Sequence, residues 1–510
     1  MIYIHIPFCR SFCTYCGFYS EIASKCRGGF SEALVAEIAL RADEISDEVN
    51  TLYIGGGTPS VLPLDVYTRV TEALKDYAGA GNFDEFTFEV NPDDIVEKGH
   101  GYVEGLLKIG VNRISMGVQS FDDGILRWMN RRHDSASAIR AYRILEEVGV
   151  DNISIDLIFG LPQLSYPDWQ KTLDKALEIS GRGVLPSHIS AYQLSVDPDS
   201  DLQRQVDSGR WTEASDELCA RQYGMLCDSL RSAGYLHYEI SNFARPGYQA
   251  KHNSAYWRHV PYVGIGPGAH SLLITQSPDG DSPQGHRRPT DLSVFCSKTP
   301  DPGAASDDAI SITQSPDRDS LQGHRRPTDL SVFFSKTPDP GATSDDAISI
   351  TQSPGGDSLQ GHRRPTDLSV FCSKTPDPGA ASDDAISITQ SPDGDSPQGR
   401  NCQEGNCQGM GVRKVYRRQW NEPDLKAYLM NPTGSKAGEV LTNEQIGMEK
   451  IMLGLRTSAG VEEDFLFAFC GKSVVDAAVA DGNLIRTGNG NLRIPEDRFF
   501  VSDSIISELV

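Results

Sequence analysis

The chain has 510 residues and a formal net charge of -23, long enough for more than one domain and a large core and too acidic for nucleic acid or an anionic membrane surface to be a general partner. Eleven cysteines are few for a secreted disulfide scaffold of this length, and Met1 leads straight into a strand with no leader-like segment. No later run is long enough to span a membrane, so a reducing, cytoplasmic setting is expected.

The first element is a short β-branched and aromatic run, Ile2 to Ile6, which ends at Pro7. A loop follows that holds Cys9, Cys13 and Cys16 in a C-x3-C-x2-C spacing. Close spacing lets one loop place several thiolates around one iron–sulfur cluster. A cubane has four irons to ligate and this loop offers three sulfurs, so one iron stays open to a small molecule. The alternatives are a structural zinc site, with His5 as the only nearby fourth ligand, and plain buried thiols.

The loop resembles the radical S-adenosylmethionine (SAM) signature. Its flanking words, Tyr3-Ile4-His5-Ile6-Pro7-Phe8-Cys9 and Tyr15-Cys16-Gly17-Phe18-Tyr19-Ser20, are similar to those of the oxygen-independent coproporphyrinogen III oxidase family, and particularly its HemW-type haem chaperone branch. The resemblance implies a [4Fe-4S] cluster on Cys9, Cys13 and Cys16, with SAM chelating the fourth iron. It also implies an electron donor for the cluster. Oxidases of that family carry a further cysteine two residues past the third, where this chain has Phe18. That departure argues for the chaperone and against porphyrinogen decarboxylation, which stays as the alternative.

Helical periodicity follows over Ser31 to Ile45, with Ser31 as N-cap. A buried strand, Thr51 to Ile54, then runs into Gly55-Gly56-Gly57-Thr58, where consecutive glycines let backbone approach a ligand closely. Further strands, Glu85 to Val90, Arg113 to Val118, Ile153 to Phe159 and His188 to Leu194, alternate with amphipathic segments such as Ala136 to Val148 and Pro167 to Ile179. Strand and helix alternate six times, which predicts an α/β fold of right-handed βαβ units with ligands at the strand C-termini. Taken singly, Glu89 or Asp156 could be a helix cap and Arg131 a surface residue. Under the resemblance the fold is a radical SAM partial (β/α)6 barrel, and Tyr3, Tyr15, Gly56, Gly57, Thr58, Glu89, Gln119, Arg131 and Asp156 stand where the family contacts SAM.

Beyond the sixth strand lies His252-Asn253-Ser254-Ala255-Tyr256-Trp257. Imidazole ligates haem iron and a Tyr-Trp pair can pack on a porphyrin, although a histidine beside aromatics is commonly structural. The resemblance assigns this H-N-x-x-Y-W motif to haem binding and so makes His252 a haem ligand. His270, after the glycine-rich Gly264-Ile265-Gly266-Pro267-Gly268, is a weaker second candidate.

The composition then changes. Thr-Gln-Ser-Pro recurs at Thr275, Thr313, Thr351 and Thr389, a period of 38 residues, in units dense in Pro, Ser, Asp and Gly. Each unit has too few apolar residues to offset its ordering entropy, which predicts a disordered insertion rather than a solenoid. Arg287 and Arg288 in the first copy could meet an anion, but a solvated linker is the plainer reading. Cys296 and Cys372 are replaced by Phe334 in the middle copy, so that position needs no thiol.

Three parts are therefore expected: a barrel over residues 1–274, a long low-complexity repeat insertion over 275–410, and a small, mostly helical, winged-helix-like C-terminal domain over 411–510. The last is not basic enough to read as DNA-binding. The resemblance implies haem as cargo and a haem-acceptor protein as partner. It leaves room for a homodimer and for peripheral association with membrane-bound acceptors.

Overall fold

Strands buried on both faces of a parallel sheet usually read as continuous apolar runs. Here they alternate. In Ile153-Ser154-Ile155-Asp156-Leu157 the aliphatic residues join the hydrophobic core, while Ser154 and Asp156 meet polar side chains of neighbouring strands. The same period of two runs through Tyr3 and His5, Thr51 and Tyr53, Thr87 and Glu89, and Arg113 and Ser115. One sheet face is thus built to pack on helices and the other to enclose a polar lumen.

The computed structural model describes all residues except 23–27, 46–49, 199, 278–412 and 435. The repeat insertion, with Arg287, Arg288, Cys296, Phe334 and Cys372, lies outside the described residues. The first half is β1 (Ile2–Ile6), α1 (Phe30–Leu40), β2 (Thr51–Gly56), α2 (Leu64–Ala78), β3 (Glu85–Val90), α3 (Pro92–Lys108), β4 (Arg113–Gln119), α4 (Asp123–Trp128), α5 (Ser135–Val148), β5 (Ile153–Phe159), α6 (Tyr166–Leu177) and β6 (His188–Gln193). It continues through α7 (Asp201–Asp207), α8 (Asp216–Ser232), β7 (Leu236–Glu239), β8 (Asn242–Ala244), α9 (Lys251–Trp257) and β9 (Val263–Ile265).

These strands form one nine-stranded sheet in the order β9-β1-β2-β3-β4-β5-β6-β8-β7. Pairing is parallel from β9 to β6 and antiparallel from β6 through β8 to β7. Six βα steps therefore curl a parallel sheet into a partial barrel whose strand C-termini share one rim. Side-chain caps at Asp134 and Ser165 start α5 and α6, one residue before the expected helix starts. Ser31 is not a cap: its hydroxyl donates to Glu32, and Gly29, in the left-handed region at φ 81°, begins α1 instead.

The remainder comprises β10 (His270–Ser277), β11 (Arg413–Asn421), α10 (Leu425–Met430), β12 (Lys436–Val440), α11 (Asn443–Gly454), β13 (Val461–Glu462), α12 (Glu463–Cys470), α13 (Lys472–Ala480), β14 (Ile485–Arg486), β15 (Asn491–Arg493) and α14 (Ser502–Leu509). The β10, β11 and β12 strands make a small sheet, and β13-β15-β14 a second. In chain order this part runs helix α11, strand β13, helices α12 and α13, and the β14–β15 hairpin. Thr442 and Gln445 close a capping box at the start of α11.

This C-terminal part docks on the sheet edge at β7. Ile240 N donates to Arg456 O at 3.2 Å and Ser458 N to Tyr238 O at 2.9 Å, and the His237 ring meets Phe499 edge-on at 5.0 Å. Among the described residues no helix is long and apolar enough to cross a membrane.

Candidate cluster and SAM site

The cysteine loop leaves β1 at the rim and is fastened from two sides. Thr14 N donates to Met129 O at 3.1 Å, its hydroxyl to Trp128 O at 2.8 Å, and Asn130 Nδ2 to Phe12 O at 2.7 Å. Asn130 makes that reach from a left-handed conformation, φ 57°, which asparagine tolerates better than most residues. On the other side Leu202 N donates to Thr14 O at 2.8 Å and Gly17 N to Asp197 Oδ2 at 3.0 Å.

Within the loop, Cys9 Sγ lies 3.4 Å from Thr58 Oγ1 and Cys13 Sγ 3.4 Å from Arg131 Nη1. Burial pushes the Cys9 and Cys16 thiols up, so both keep their protons until a metal displaces them. Among the described residues no three His, Cys, Asp or Glu side chains converge to hold a single metal ion. A cubane makes a different demand, since its irons occupy separate corners and each takes its own thiolate. Three thiols on one short loop, with a cation and a hydroxyl against the sulfurs, fit that group.

The Gly-rich turn after β2 meets the loop from below. Gly56, at φ 110°, takes a backbone conformation that L side chains rarely adopt, and a Cβ there would lie 2.6 Å from the His5 ring. At Gly57 a Cβ would come 2.8 Å from Phe8 O. These glycines are required by close approach, with Gly57 N bonded to Ile6 O at 2.8 Å.

Around this turn the strand ends supply polar groups in register. Glu89 accepts the Tyr53 hydroxyl at 2.6 Å and Gly56 N at 3.1 Å. Tyr3 places its hydroxyl 2.9 Å from His5 Nδ1, its ring 6.1 Å from that of Tyr53. Arg131 spans β3 and β4: Nη2 donates to Asn91 Oδ1 at 2.6 Å and Gly117 O at 2.7 Å, and its buried Nε has no hydrogen-bond partner among the described residues. Tyr15 sits against Cys13 and Arg131, and burial raises its hydroxyl well above the usual range. Gln119 closes β4 at φ 66°, where the register with β5 shifts. Asp156, opposite Gly117, accepts the Ser115 hydroxyl at 3.2 Å, and burial lifts its carboxyl to about 6.

All nine residues expected at a SAM pocket thus gather on the rim beside the three cysteines or in the lumen beneath it. Asn91, Tyr53 and Asp197 belong to the same assembly and were not picked out from the sequence as site residues. The available signal was position: Asn91 directly follows a strand that already delivers Glu89.

The structure does not bring His252 to this rim. Its Nδ1 lies 2.8 Å from Thr51 Oγ1 and its Nε2 3.0 Å from the Tyr256 hydroxyl, and its own N–H donates to Glu85 at 3.1 Å. Thr51 and Glu85 are the first residues of β2 and β3, so His252 closes the opposite end of the barrel. It is fully buried, and that burial depresses the ring to about 3 and keeps it neutral. Both ring nitrogens are engaged, so as folded here His252 offers no free lone pair to a haem iron. His270 differs: its ring stacks on Trp420 at 5.9 Å, and its Nδ1 has no partner among the described residues.

Residues 3–176, the segment that builds this rim, match the family model of the radical SAM superfamily. A protein of Lactococcus lactis called heme chaperone HemW is 35% identical over 272 residues, 53% of this chain and 69% of its own length. The chain belongs to the HemW family. A Synechocystis protein of the same name is 35% identical over 53% of this chain, and the zebrafish mitochondrial protein named radical S-adenosyl methionine domain-containing protein 1 is 34% identical over 55%. The chain spans 65% and 61% of the length of those two relatives. The solved coproporphyrinogen III oxidase (HemN) of Escherichia coli superposes with a TM-score of 0.59 at 17% identity, covering 100% of this chain and 89% of that one, which shows a shared fold. Membership in this radical SAM family implies a four-iron cluster and SAM.

Proposed function

We propose that this protein holds a [4Fe-4S] cluster on Cys9, Cys13 and Cys16, binds SAM at the open iron, and carries haem to an acceptor protein in a reducing, cytoplasmic compartment. The observation that carries the cluster and SAM reading is the convergence of the three-thiol loop, the Gly56–Gly57 turn and the Glu89 and Arg131 side chains on one rim. When bound and reduced, the cluster supplies an electron to SAM. The chain's own part is binding and orientation. Arg131, tied to Asn91 and Gly117, offers a guanidinium fork suited to a carboxylate, while Glu89 and Asp156 suit an amine or ribose hydroxyls. Thr58 and Arg131 fix the sulfurs they touch.

The haem reading is supported by the names of the relatives and by the intact His252-Asn253-x-x-Tyr256-Trp257 sequence. Ligation of haem iron by His252 requires one of its two ring bonds, to Thr51 or to Tyr256, to break and the buried ring to be uncovered. The test is an anaerobic haem titration of the cluster-loaded protein, run beside a coproporphyrinogen turnover assay. A Soret band that saturates, with no porphyrin product, is expected. Turnover without haem uptake would instead favour the oxidase reading, and neither result would refute the SAM site.

A further inference from the structure

Asp197 lies beyond β6, on the segment that fastens the cysteine loop at Thr14 and Gly17. Its Oδ2 accepts Gly17 N at 3.0 Å and its Oδ1 accepts the Ser195 hydroxyl at 3.0 Å. Ser200 N donates to Asp197 O at 3.2 Å and Leu202 N reaches Thr14 O at 2.8 Å, so the carboxylate is held on a short, multiply bonded turn. The approach is close enough to dictate sequence: a Cβ at Gly17 would lie 2.7 Å from Asp197 Cβ, so Gly17 must be glycine while Asp197 stays where it is. Gly17 directly follows Cys16.

We propose that Asp197 is a positioning residue that both anchors the cluster loop at Gly17 and holds the cluster at a more negative reduction potential. A fixed negative charge beside the third cysteine disfavours adding an electron to the cluster, and net charge and hydrogen bonding to the sulfurs are the levers by which a protein sets such potentials. Anchoring alone would leave the potential unchanged, so the two roles can be separated.

The experiment is an EPR-monitored redox titration of the full chain after anaerobic reconstitution, comparing wild type with D197N. Asparagine keeps an oxygen for Gly17 N–H and removes the charge, so a midpoint shifted to more positive potential is expected, with iron and sulfide content equal to wild type. A midpoint equal to that of wild type overturns the proposal. Should D197N fail to load, D197S decides: it removes the charge while leaving a hydroxyl acceptor beside Gly17 N–H, so a midpoint moved to more positive potential is expected and an unchanged one again overturns the proposal. The inference rests on the cluster assignment above. A wild-type chain that loads no cluster refutes that assignment, whereas a loaded cluster indifferent to Asp197 refutes this inference alone.

Discussion

The Thr51 hydroxyl and the Nδ1 of His252 lie 2.8 Å apart, joining the first residue of β2 to the helix that closes the barrel floor. This bond and its counterpart at Tyr256 make His252 a structural pin in the haem-free protein. Replacing it with alanine removes a fully buried ring and strands a buried hydroxyl, a loss of about 2–4 kcal/mol. Urea unfolding of the haem-free H252A variant checks it. If His252 also becomes a haem ligand, hydrogen exchange of the amides in Lys251–Trp257 must accelerate when haem is added. Protection unchanged while a Soret band develops would place the iron elsewhere.

Glu89 joins two strands through Tyr53 and Gly56, and its carboxylate faces the pocket. In E89Q the charge is lost while the side-chain size is kept. Charged hydrogen bonds contribute about 1.5–3 kcal/mol, so SAM affinity should fall roughly 10- to 100-fold by calorimetry, with iron content unchanged. Equal affinity would remove Glu89 from the SAM contacts.

The three thiols differ in what surrounds them, and Cys13 is the one that Arg131 touches. Cys13→Ala should leave a four-iron cluster unformed after anaerobic reconstitution, read as loss of acid-labile sulfide and of the broad absorbance of the cluster. Full loading of that variant would sink the ligand assignment.

Glu239 is fully buried where β7 bridges Thr457 of the C-terminal part, and burial raises its carboxyl to about 7. Ser241 N donates to its Oε2 at 3.2 Å, while its Oε1 is a buried acceptor without a hydrogen-bond partner among the described residues. With a folded value above the ordinary carboxylate value, its protonated form adds stability that is complete below about pH 4.5 and lost as pH rises through 7. The size is up to about 3 kcal/mol. The difference in unfolding free energy between wild type and E239Q should therefore change by that amount between pH 5 and pH 8. A difference that does not vary with pH would show Glu239 to be ionised throughout.

Glu37 is a fully buried polar junction. It accepts Arg41 Nη1 at 3.1 Å, Gly266 N at 2.9 Å, Asn421 Nδ2 at 2.9 Å and the Tyr428 hydroxyl at 2.8 Å, linking α1 to residues on both sides of the insertion. E37A leaves buried donors on Gly266, Asn421 and Tyr428 unmet and Arg41 with Glu44 as its remaining carboxylate, a loss of about 3–5 kcal/mol. Calorimetric melting should show the largest drop of any variant described here, and a shift of less than a few degrees would contradict the role.

The sequence by itself determined what depends on neighbours in the chain. Three cysteines within eight positions, a glycine triplet after a strand, and alternate polar residues in β3, β4 and β5 are local patterns, and the period of two places Thr87 with Glu89, and Ser154 with Asp156, on one face of their own strands whatever else happens. The βα alternation was legible for the same reason. Only the tertiary structure decided which distant groups meet. Thr51 reaches His252 across 201 positions, Gly17 reaches Asp197 across 180, and Asn421 reaches Glu37 across 384. Periodicity fixes the direction of a side chain relative to its own strand, but sheet register and the end of the barrel at which a helix docks are set by packing over the whole core. For that reason the His252 motif could be read while its place could not, and its ring lies at the far end from the cluster loop.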